Sequence, residues 1–177
     1  MNKPLLFLDV DGVINPSVEL NKLPAGFVLH TIIVPSFDDT NADGGRKMIV
    51  ALNELHGAWL RELAEEFDLA WATSWGKYAN EHLSPLLGLG QLPVVTPEHI
   101  SLYRISKRSP IVALAKDRPL AWVDDMIGPI DWQWARSRRG GGNGSPTLLI
   151  KTNSTKGLTL AHVKQLQSFA RTLGEKQ

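Results

Sequence analysis

Five short apolar runs recur along this chain of 177 residues, and no other feature constrains its fold as strongly. Apolar and polar residues do not alternate within any of them. Each run therefore predicts a strand that is buried on both faces, as strands are in a parallel sheet. A chain of this length is typical of one domain, so we expect a single domain over residues 1–177. The runs are residues 5–8, 69–72, 92–95, 120–123 and 147–150.

The segments between the runs have the apolar spacing of helices that bury one face. This spacing predicts a helix over 45–67 and another near the C-terminus over 160–173. Shorter helices are predicted over 76–87, 107–116 and 126–138. Strands that alternate with helices in this way indicate an α/β fold, with a parallel sheet and helices on both of its faces.

Residues 15–43 interrupt this alternation. Two short apolar stretches, 27–29 and 32–34, lie close to Pro and Gly residues, which predicts a small β-hairpin flap rather than another domain. Residues 136–145 (RSRRGGGNGS) are predicted to form a flexible Gly-rich loop. The arginines of this loop are interpreted either as solvated side chains or as a contact to a nucleic-acid backbone.

Charge and cysteine content exclude several classes of protein. The chain has 19 Lys and Arg residues and 18 Asp and Glu residues, for a formal net charge of +1. This balance argues against an overall polycationic nucleic-acid binder but allows a local basic patch. The absence of Cys excludes disulfides, thiolate metal sites and thiol nucleophiles. Asp9 and Asp11 interrupt the first apolar run well short of a signal-peptide core or a membrane span. We therefore expect a soluble, cytoplasmic protein without a membrane partner. We also expect a monomer.

Acidic residues follow two of the predicted strands. Asp9 and Asp11 come directly after the first run, before Gly12, and Asp124 and Asp125 come directly after the fourth. In an open parallel sheet, the carboxyl ends of the strands form the crevice where ligands bind. If the two strands are neighbours, these carboxylates converge on a hard-cation site suited to Mg²⁺. The alternatives are an Asp pair that caps a turn and a helix N-cap at the second pair.

Hydroxyl groups follow the second predicted strand. Thr73 or Ser74, with the N–H groups of the next turn, can hold a phosphate oxygen, although such residues also commonly cap helices. A cation that balances the acids is expected from Lys107, because the N-terminus of its helix lies at the carboxyl ends of the strands. Lys116, at the other end of that helix, and Lys77 are expected on the surface.

Four motifs follow one another along the chain: Asp9-Val10-Asp11-Gly12, Thr73, Lys107 and Asp124-Asp125. Their order resembles that of the haloacid dehalogenase (HAD) superfamily of phosphohydrolases. The stretches WATSW, RPLAWVDD and PTLLIKTNSTKGLT resemble a small, minimally capped subgroup of bacteria and phages. The resemblance implies a Rossmann-like HAD fold whose five-stranded parallel sheet has the order 5-4-1-2-3, with helices on both faces and a small β-hairpin flap over 15–43.

The resemblance also implies an Mg²⁺-dependent phosphatase that hydrolyses a phosphate monoester. Asp9 would be the nucleophile that forms an aspartyl-phosphate, and Asp11 would be the general acid and base. Mg²⁺ would be held by Asp9, the backbone carbonyl of Asp11, Asp124 and Asp125. The oxygens of the transferring phosphoryl group would be bound by Thr73, with Ser74 as the alternative, and by Lys107.

Three functions stay open on these grounds. An acid at Asp11 favours a phosphatase, since dehalogenases of the family lack this acid, and an open crevice favours a bulky phosphorylated substrate. A nucleic-acid 3′- or 5′-end phosphatase would use Trp75 to stack on a base and the arginines of 136–145 to follow the backbone. The other interpretation of Trp75 is packing in the core. A catalytically silent HAD-fold binding module is the third, although clustered acids without a use would cost stability. Asn15 either contacts the substrate or shapes the turn after Asp11.

Overall fold

The computed structural model describes residues 3–34, 45–101, 104–140 and 144–175. Nine strands and five α-helices occur in these ranges. The strands are β1 (Leu5–Leu8), β2 (Phe27–Val34), β3 (Arg46–Asn53), β4 (Asp68–Ala72), β5 (Val94–Val95), β6 (Glu98–Ser101), β7 (Arg104–Ser106), β8 (Leu120–Asp124) and β9 (Thr147–Lys151). The helices are α1 (Glu54–Glu66), α2 (Ser84–Leu86), α3 (Arg108–Ala115), α4 (Pro129–Gly140) and α5 (Leu160–Gly174).

The five apolar runs form one parallel sheet, as their lack of alternation predicts. The strand order is β9-β8-β1-β4-β5, and every neighbouring pair is parallel. These labels differ from the expected 5-4-1-2-3 because four strands of two hairpins also take numbers. When only the five strands of this sheet are counted, each strand has the neighbours that the expected order specifies. The strands that precede the two acidic pairs, β1 and β8, therefore lie side by side.

Both faces of the sheet are covered by helices. Leu6 and Leu8 of β1 belong to a core that also contains Leu60 of α1 and Leu166 of α5. Leu5 and Phe7 point to the opposite face, into a core that they share with residues of α3 and α4, among them Ile111 and Ala135. Successive side chains of a strand alternate between the faces, so a run that is apolar at every position requires this two-sided cover.

The predicted helix over 45–67 is wrong in its first part. Residues 46–53 form β3, which pairs with β2 as an antiparallel hairpin, and β2 joins both stretches that were expected to be separate strands. An apolar run such as residues 48–52 fits a helix or a strand equally well, and here the neighbouring strand decides. The helix α1 begins at Glu54, where the side chain of Asn53 accepts a hydrogen bond from the N–H of Leu55 at 2.9 Å. The hairpin extends beyond the expected 15–43, and residues 35–44 lie outside the described part.

The other helices follow the sequence expectations more closely. Over 76–87, a π-helix (Ala79–Leu83) continues into α2. The helix α3 lies within its predicted range, and α5 begins where it is predicted and ends one residue later. The helix α4 continues to Gly140, which corrects the first half of the expected loop over 136–145; residues 141–143 lie outside the described part. Arg138 donates a hydrogen bond to the carbonyl of Arg118 at 2.6 Å, and Arg139 donates one to the carbonyl of Thr147 at 2.9 Å. These two guanidinium groups fasten α4 to neighbouring segments of its own chain.

The hairpin of β6 and β7 was not predicted. Within the described ranges, none of the helices combines the length and the apolar character that crossing a membrane would require.

A histidine is buried where the β2–β3 hairpin, α1 and the segment before α5 meet. His56 is fully buried, its ring lies edge-on to Phe27 at 5.4 Å between centroids, and its Nε2 lies 3.1 Å from the carbonyl oxygen of Leu158. Burial lowers the pKa of His56 from 6.5 to about 4. The folded chain therefore holds a neutral imidazole whose Nε2–H donates to Leu158.

We predict that this histidine makes the fold sensitive to mild acid. His56 becomes protonated near pH 6.5 in the unfolded chain but only near pH 4 in the folded chain. The contribution of His56 to the free energy of unfolding should thus be constant above pH 7 and fall by up to about 3 kcal/mol between pH 6.5 and 4. The raised pKa of Asp9 acts in the opposite direction over part of this range, so the contribution of His56 is obtained as a difference between variants. In urea unfolding across this range, the free energy of unfolding of the unsubstituted chain should fall relative to that of His56→Gln as the pH is lowered. His82→Gln serves as the control, and parallel profiles for His56→Gln and the unsubstituted chain would contradict the prediction.

Candidate active site

The carboxyl ends of β1 and β8 bring the two acidic pairs together. Leu8 pairs with Val123 in the parallel register, so the next residue of each strand, Asp9 and Asp124, emerges at the same level of the same edge. The N–H of Asp9 donates to the carbonyl of Val123 at 3.1 Å, which continues the ladder by one residue. Both carboxylates are buried, with 6% of Asp9 and none of Asp124 exposed.

The ammonium group of Lys107 joins these two acids. Its Nζ lies 2.5 Å from Oδ2 of Asp9 and 2.7 Å from Oδ2 of Asp124. Lys107 is the residue before α3, which runs antiparallel to the strands, so the chain direction carries it to the carboxyl edge. Lys116 ends α3 at the opposite edge, and Lys77 pairs with Glu81 on the surface at 3.2 Å.

Neutral N–H groups hold the same carboxylates in fixed orientations. Oδ1 of Asp9 accepts from the N–H of Val10 at 2.7 Å, and Oδ1 of Asp124 accepts from the N–H of Met126 at 2.8 Å. The indole N–H of Trp122 donates to Oδ2 of Asp124 at 3.2 Å. This contact of Trp122 is not among the sequence predictions. Its signal is the spacing of two residues along a strand, which puts both side chains on one face.

Asp125 completes a cluster of three carboxylates. One oxygen from each of Asp9, Asp124 and Asp125 lies within 4.8 Å of the others. Gly12 makes room for this arrangement: a Cβ on Gly12 would lie 2.5 Å from Cγ of Asp125, and its φ of +73° also favours glycine. The three acids and Lys107 together leave two negative charges, and oxygen donors are the ligands that Mg²⁺ prefers. The residues therefore fit a divalent hard cation.

The pKa values of two acids reflect the crowding. Burial is the main cause that raises the pKa of Asp9 to about 6; the ammonium of Lys107 opposes this rise and the charge of Asp124 adds to it. Burial, and then the charge of Asp124, also raise the pKa of Asp125. A cation between these groups would stabilise their ionised forms and relieve the same repulsion.

The side chain of Asp11 lies outside this cluster of three and has different partners. Its Oδ1 accepts a hydrogen bond from the side-chain amide of Asn15, and its Oδ2 accepts one from the indole N–H of Trp75, both at 2.8 Å. Asp11 is exposed to the crevice, whereas Trp75 is buried. Trp75 and Asn15 thus both contact Asp11. Any role for Trp75 or Asn15 has to be consistent with the hydrogen bond that it donates to this carboxylate.

The two hydroxyl residues after β4 differ in their surroundings. Thr73 is fully buried, and its Oγ1 accepts from the N–H of Trp75 at 3.4 Å, as a residue that shapes the turn would. Ser74 is exposed and lines the crevice next to Asp9 and Asp11. Thr73 is the predicted phosphate ligand, with Ser74 as the alternative, but of these two residues Ser74 is the one that lines the crevice.

Two clefts meet at Asp11 and Ser74. The first has a volume of about 530 Å³ and contains the carboxylates and Lys107; its outer wall is mostly apolar. The second has a volume of about 500 Å³ and lies under the β2–β3 hairpin. The outer wall of the first cleft includes Pro97, Met126, Pro129 and Ile130. The second is lined by Val34, Met48, Trp75, Gly76, Lys77 and Tyr78.

Comparison with known proteins gives a similarity at the level of the fold. No family model and no curated protein matches the chain. Among solved structures, the chain is similar to the fission yeast RNA polymerase II CTD phosphatase Fcp1, a variant bound to beryllium fluoride. The TM-score is 0.52 at 15% sequence identity. The match covers 99% of this chain and 52% of the yeast chain, so this chain spans about half the length of that phosphatase.

We predict that Gly12 cannot be replaced without displacing Asp125. In Gly12→Ala, the new Cβ would collide with the Asp125 carboxyl group, and alanine would be strained at the positive φ. The free energy of unfolding should fall by about 1–3 kcal/mol. Gly90→Ala is the matched control, because nothing lies within 4 Å of a Cβ at that position. Equal stability of the two variants in thermal unfolding would contradict the proposed close approach.

Proposed function

We propose that this chain is an Mg²⁺-dependent phosphatase of the HAD superfamily, which hydrolyses a phosphate monoester through an aspartyl-phosphate. The observation that carries the proposal is the convergence of Asp9, Lys107, Asp124 and Asp125 at the carboxyl edge of one parallel sheet. The fold similarity to a phosphatase supports it. The silent binding module is less favoured, because the cluster contains three carboxylates and two of them are buried. Such a cluster lowers the stability of the fold unless it binds a cation or takes part in a reaction.

In the proposed reaction, a carboxylate oxygen of Asp9 attacks phosphorus while the bond from phosphorus to the ester oxygen breaks. Asp11 donates its proton to the departing oxygen. It then removes a proton from the water that attacks the aspartyl-phosphate, which releases inorganic phosphate and restores Asp9. The contacts of Asp9 support this role, since Lys107 and the N–H of Val10 hold its carboxylate in place.

The remaining residues would neutralise charge. Asp9, Asp124, Asp125 and the backbone carbonyl of Asp11 would hold Mg²⁺, which supplies positive charge that lets an anionic nucleophile approach an anionic phosphate. Lys107 would bind a phosphoryl oxygen in addition to its carboxylate partners. Ser74, which lines the crevice, would donate a hydrogen bond from its hydroxyl to a phosphoryl oxygen. Thr73 would hold the turn that carries Ser74, because its Oγ1 accepts a hydrogen bond from the N–H of Trp75.

We predict that turnover of p-nitrophenyl phosphate requires both Mg²⁺ and Asp9. A chelator should reduce turnover to background, and added Mg²⁺ should restore it. Asp9→Asn should keep the fold but lose at least about 10³-fold in kcat, since an amide is not a nucleophile here. Asp117→Asn, a change at an exposed carboxylate, is the control and should keep full activity. Turnover by Asp9→Asn at the rate of the control would overturn the proposed mechanism.

We further propose that the substrate is a phosphate carried on a bulky group with apolar surface. Two clefts extend from Asp11 and Ser74 in the described structure, and much of their lining is apolar. A small phosphorylated metabolite would leave most of this surface uncovered. Met126 and Ile130, which are 74% and 46% exposed, lie beside the carboxylates where a bulky leaving group would cover them.

Charge pairing separates this proposal from a nucleic-acid-end phosphatase. Among the residues that the structure describes, each basic side chain that lines the two clefts has a carboxylate partner: Lys107 with Asp9, Arg108 with Asp131 at 3.5 Å, and Lys77 with Glu81. A nucleic-acid backbone needs Lys and Arg groups free to neutralise its phosphates. The pairing therefore favours a substrate with few negative charges beyond the phosphate itself. End repair stays an alternative that substrate profiling tests.

We predict a matching substrate preference. The value of kcat/KM should be higher for a phosphotyrosyl peptide with apolar flanking residues than for glycerol phosphate or a 5′-phosphorylated oligonucleotide. Ile130→Ser should lower kcat/KM for the peptide about fivefold, because it removes apolar contact, and leave glycerol phosphate unchanged. Leu160→Ser is the control, as Leu160 is similarly exposed at 49% but lies on α5. A preference for the oligonucleotide would favour end repair instead.

A further inference from the structure

We propose that Asn15 and Trp75 are positioning residues for Asp11, and that together they set the orientation in which its carboxyl group exchanges a proton with the leaving oxygen. The inference rests on the proposed function, in which Asp11 is the general acid and base. It assigns Asn15 and Trp75 a role that the four sequence motifs do not contain.

Each oxygen of Asp11 has its own neutral donor. Asn15 donates to Oδ1 and Trp75 donates to Oδ2, each at 2.8 Å. Two donors on two oxygens define the plane of a carboxyl group, whereas one donor would leave it free to rotate. Because Asp11 is exposed to the crevice, water would otherwise compete for both oxygens and the side chain would sample several rotamers. Each oxygen keeps a second lone pair for a proton.

The amide of Asn15 can have only one orientation here. Its Oδ1 accepts a hydrogen bond from the backbone N–H of Ala51 at 2.9 Å, so its Nδ2 must face the carboxylate. The turn after β1 brings Asn15 back to Asp11: the N–H of Asn15 donates to Val10 and its carbonyl accepts from Gly12. Aspartate in this place would still accept from Ala51, but it would present a repelling oxygen to Asp11.

The indole of Trp75 is a rigid donor. Trp75 belongs to the core that also contains residues of β1 and of the β2–β3 hairpin, and 9% of the residue is exposed. Because the surrounding core restricts the side chain of Trp75 to one rotamer, its indole N–H stays directed at Oδ2 of Asp11. Phenylalanine would keep most of the packing and remove only this donor. This difference makes Trp75→Phe the cleanest variant for a test.

The test compares two substrates that differ in how much they need an acid. p-Nitrophenolate is a good leaving group and departs without a proton, whereas the alkoxide of glycerol phosphate must be protonated as it leaves. Asp11→Asn defines the full effect and should lose far more activity on glycerol phosphate than on p-nitrophenyl phosphate. Trp75→Phe and Asn15→Asp should show the same selectivity, with kcat on glycerol phosphate falling about 10- to 100-fold and KM unchanged.

Each outcome of this comparison decides one point. Equal losses on both substrates in Trp75→Phe and Asn15→Asp would mean a general structural effect and would overturn the positioning role. Absence of selectivity in Asp11→Asn, or of Mg²⁺-dependent turnover in the unsubstituted chain, would overturn the proposed function itself. Trp59→Phe, a substitution of a partly buried Trp on α1, should leave both rates unchanged. Thermal unfolding of every variant verifies the fold, and Asn15→Asp provides an independent test if Trp75→Phe is unstable.

Discussion

Two buried carboxylates on adjacent strands, Asp9 and Asp124, share one ammonium group, that of Lys107. A buried carboxylate without a partner costs several kcal/mol, so the three side chains depend on one another. Their contacts hold the ends of β1 and β8 and the start of α3 at one point. Beside this arrangement, the turn at Gly12 approaches Asp125 so closely that a Cβ on Gly12 would lie 2.5 Å from Cγ of Asp125. The remaining negative charge of the cluster is the physical reason to expect a divalent cation.

Part of this cluster is predictable from chain direction alone, whereas the adjacency of β1 and β8 was a condition of that prediction and came from the resemblance to the HAD superfamily. Parallel strands end at one edge, and the helix before β8 must begin there, which selects Lys107 over Lys116 without any knowledge of side-chain positions. The apolar runs predicted the strands for a similar reason, since a strand without polar positions requires cover on both faces. Both inferences use only the apolar pattern of an element and its chain direction, and neither requires the position of a particular side chain.

The parts that could not be predicted depend on partners distant in sequence. Residues 48–52 form a strand because β2 lies beside them, and nothing within the segment itself excludes a helix. The partner of Asp11, Trp75, is 64 residues away, and the packing of the core decides which way its indole points. The same applies to Arg138 and Arg139, whose composition suggested a flexible loop. Their hydrogen bonds to backbone carbonyls instead hold them against the fold.

The contact of Asn15 with Ala51 connects the hairpin to the chemistry of the site. Ala51 is buried, and β3 pairs with β2 alone among the described strands, so an N–H that points away from β2 needs another acceptor. The side chain of Asn15 supplies it and, by doing so, turns its amide toward Asp11. A slip of β3 by one residue would turn this N–H away and release the amide. The orientation of the proposed acid, Asp11, therefore depends on the register of the β2–β3 hairpin, through the side chain of Asn15.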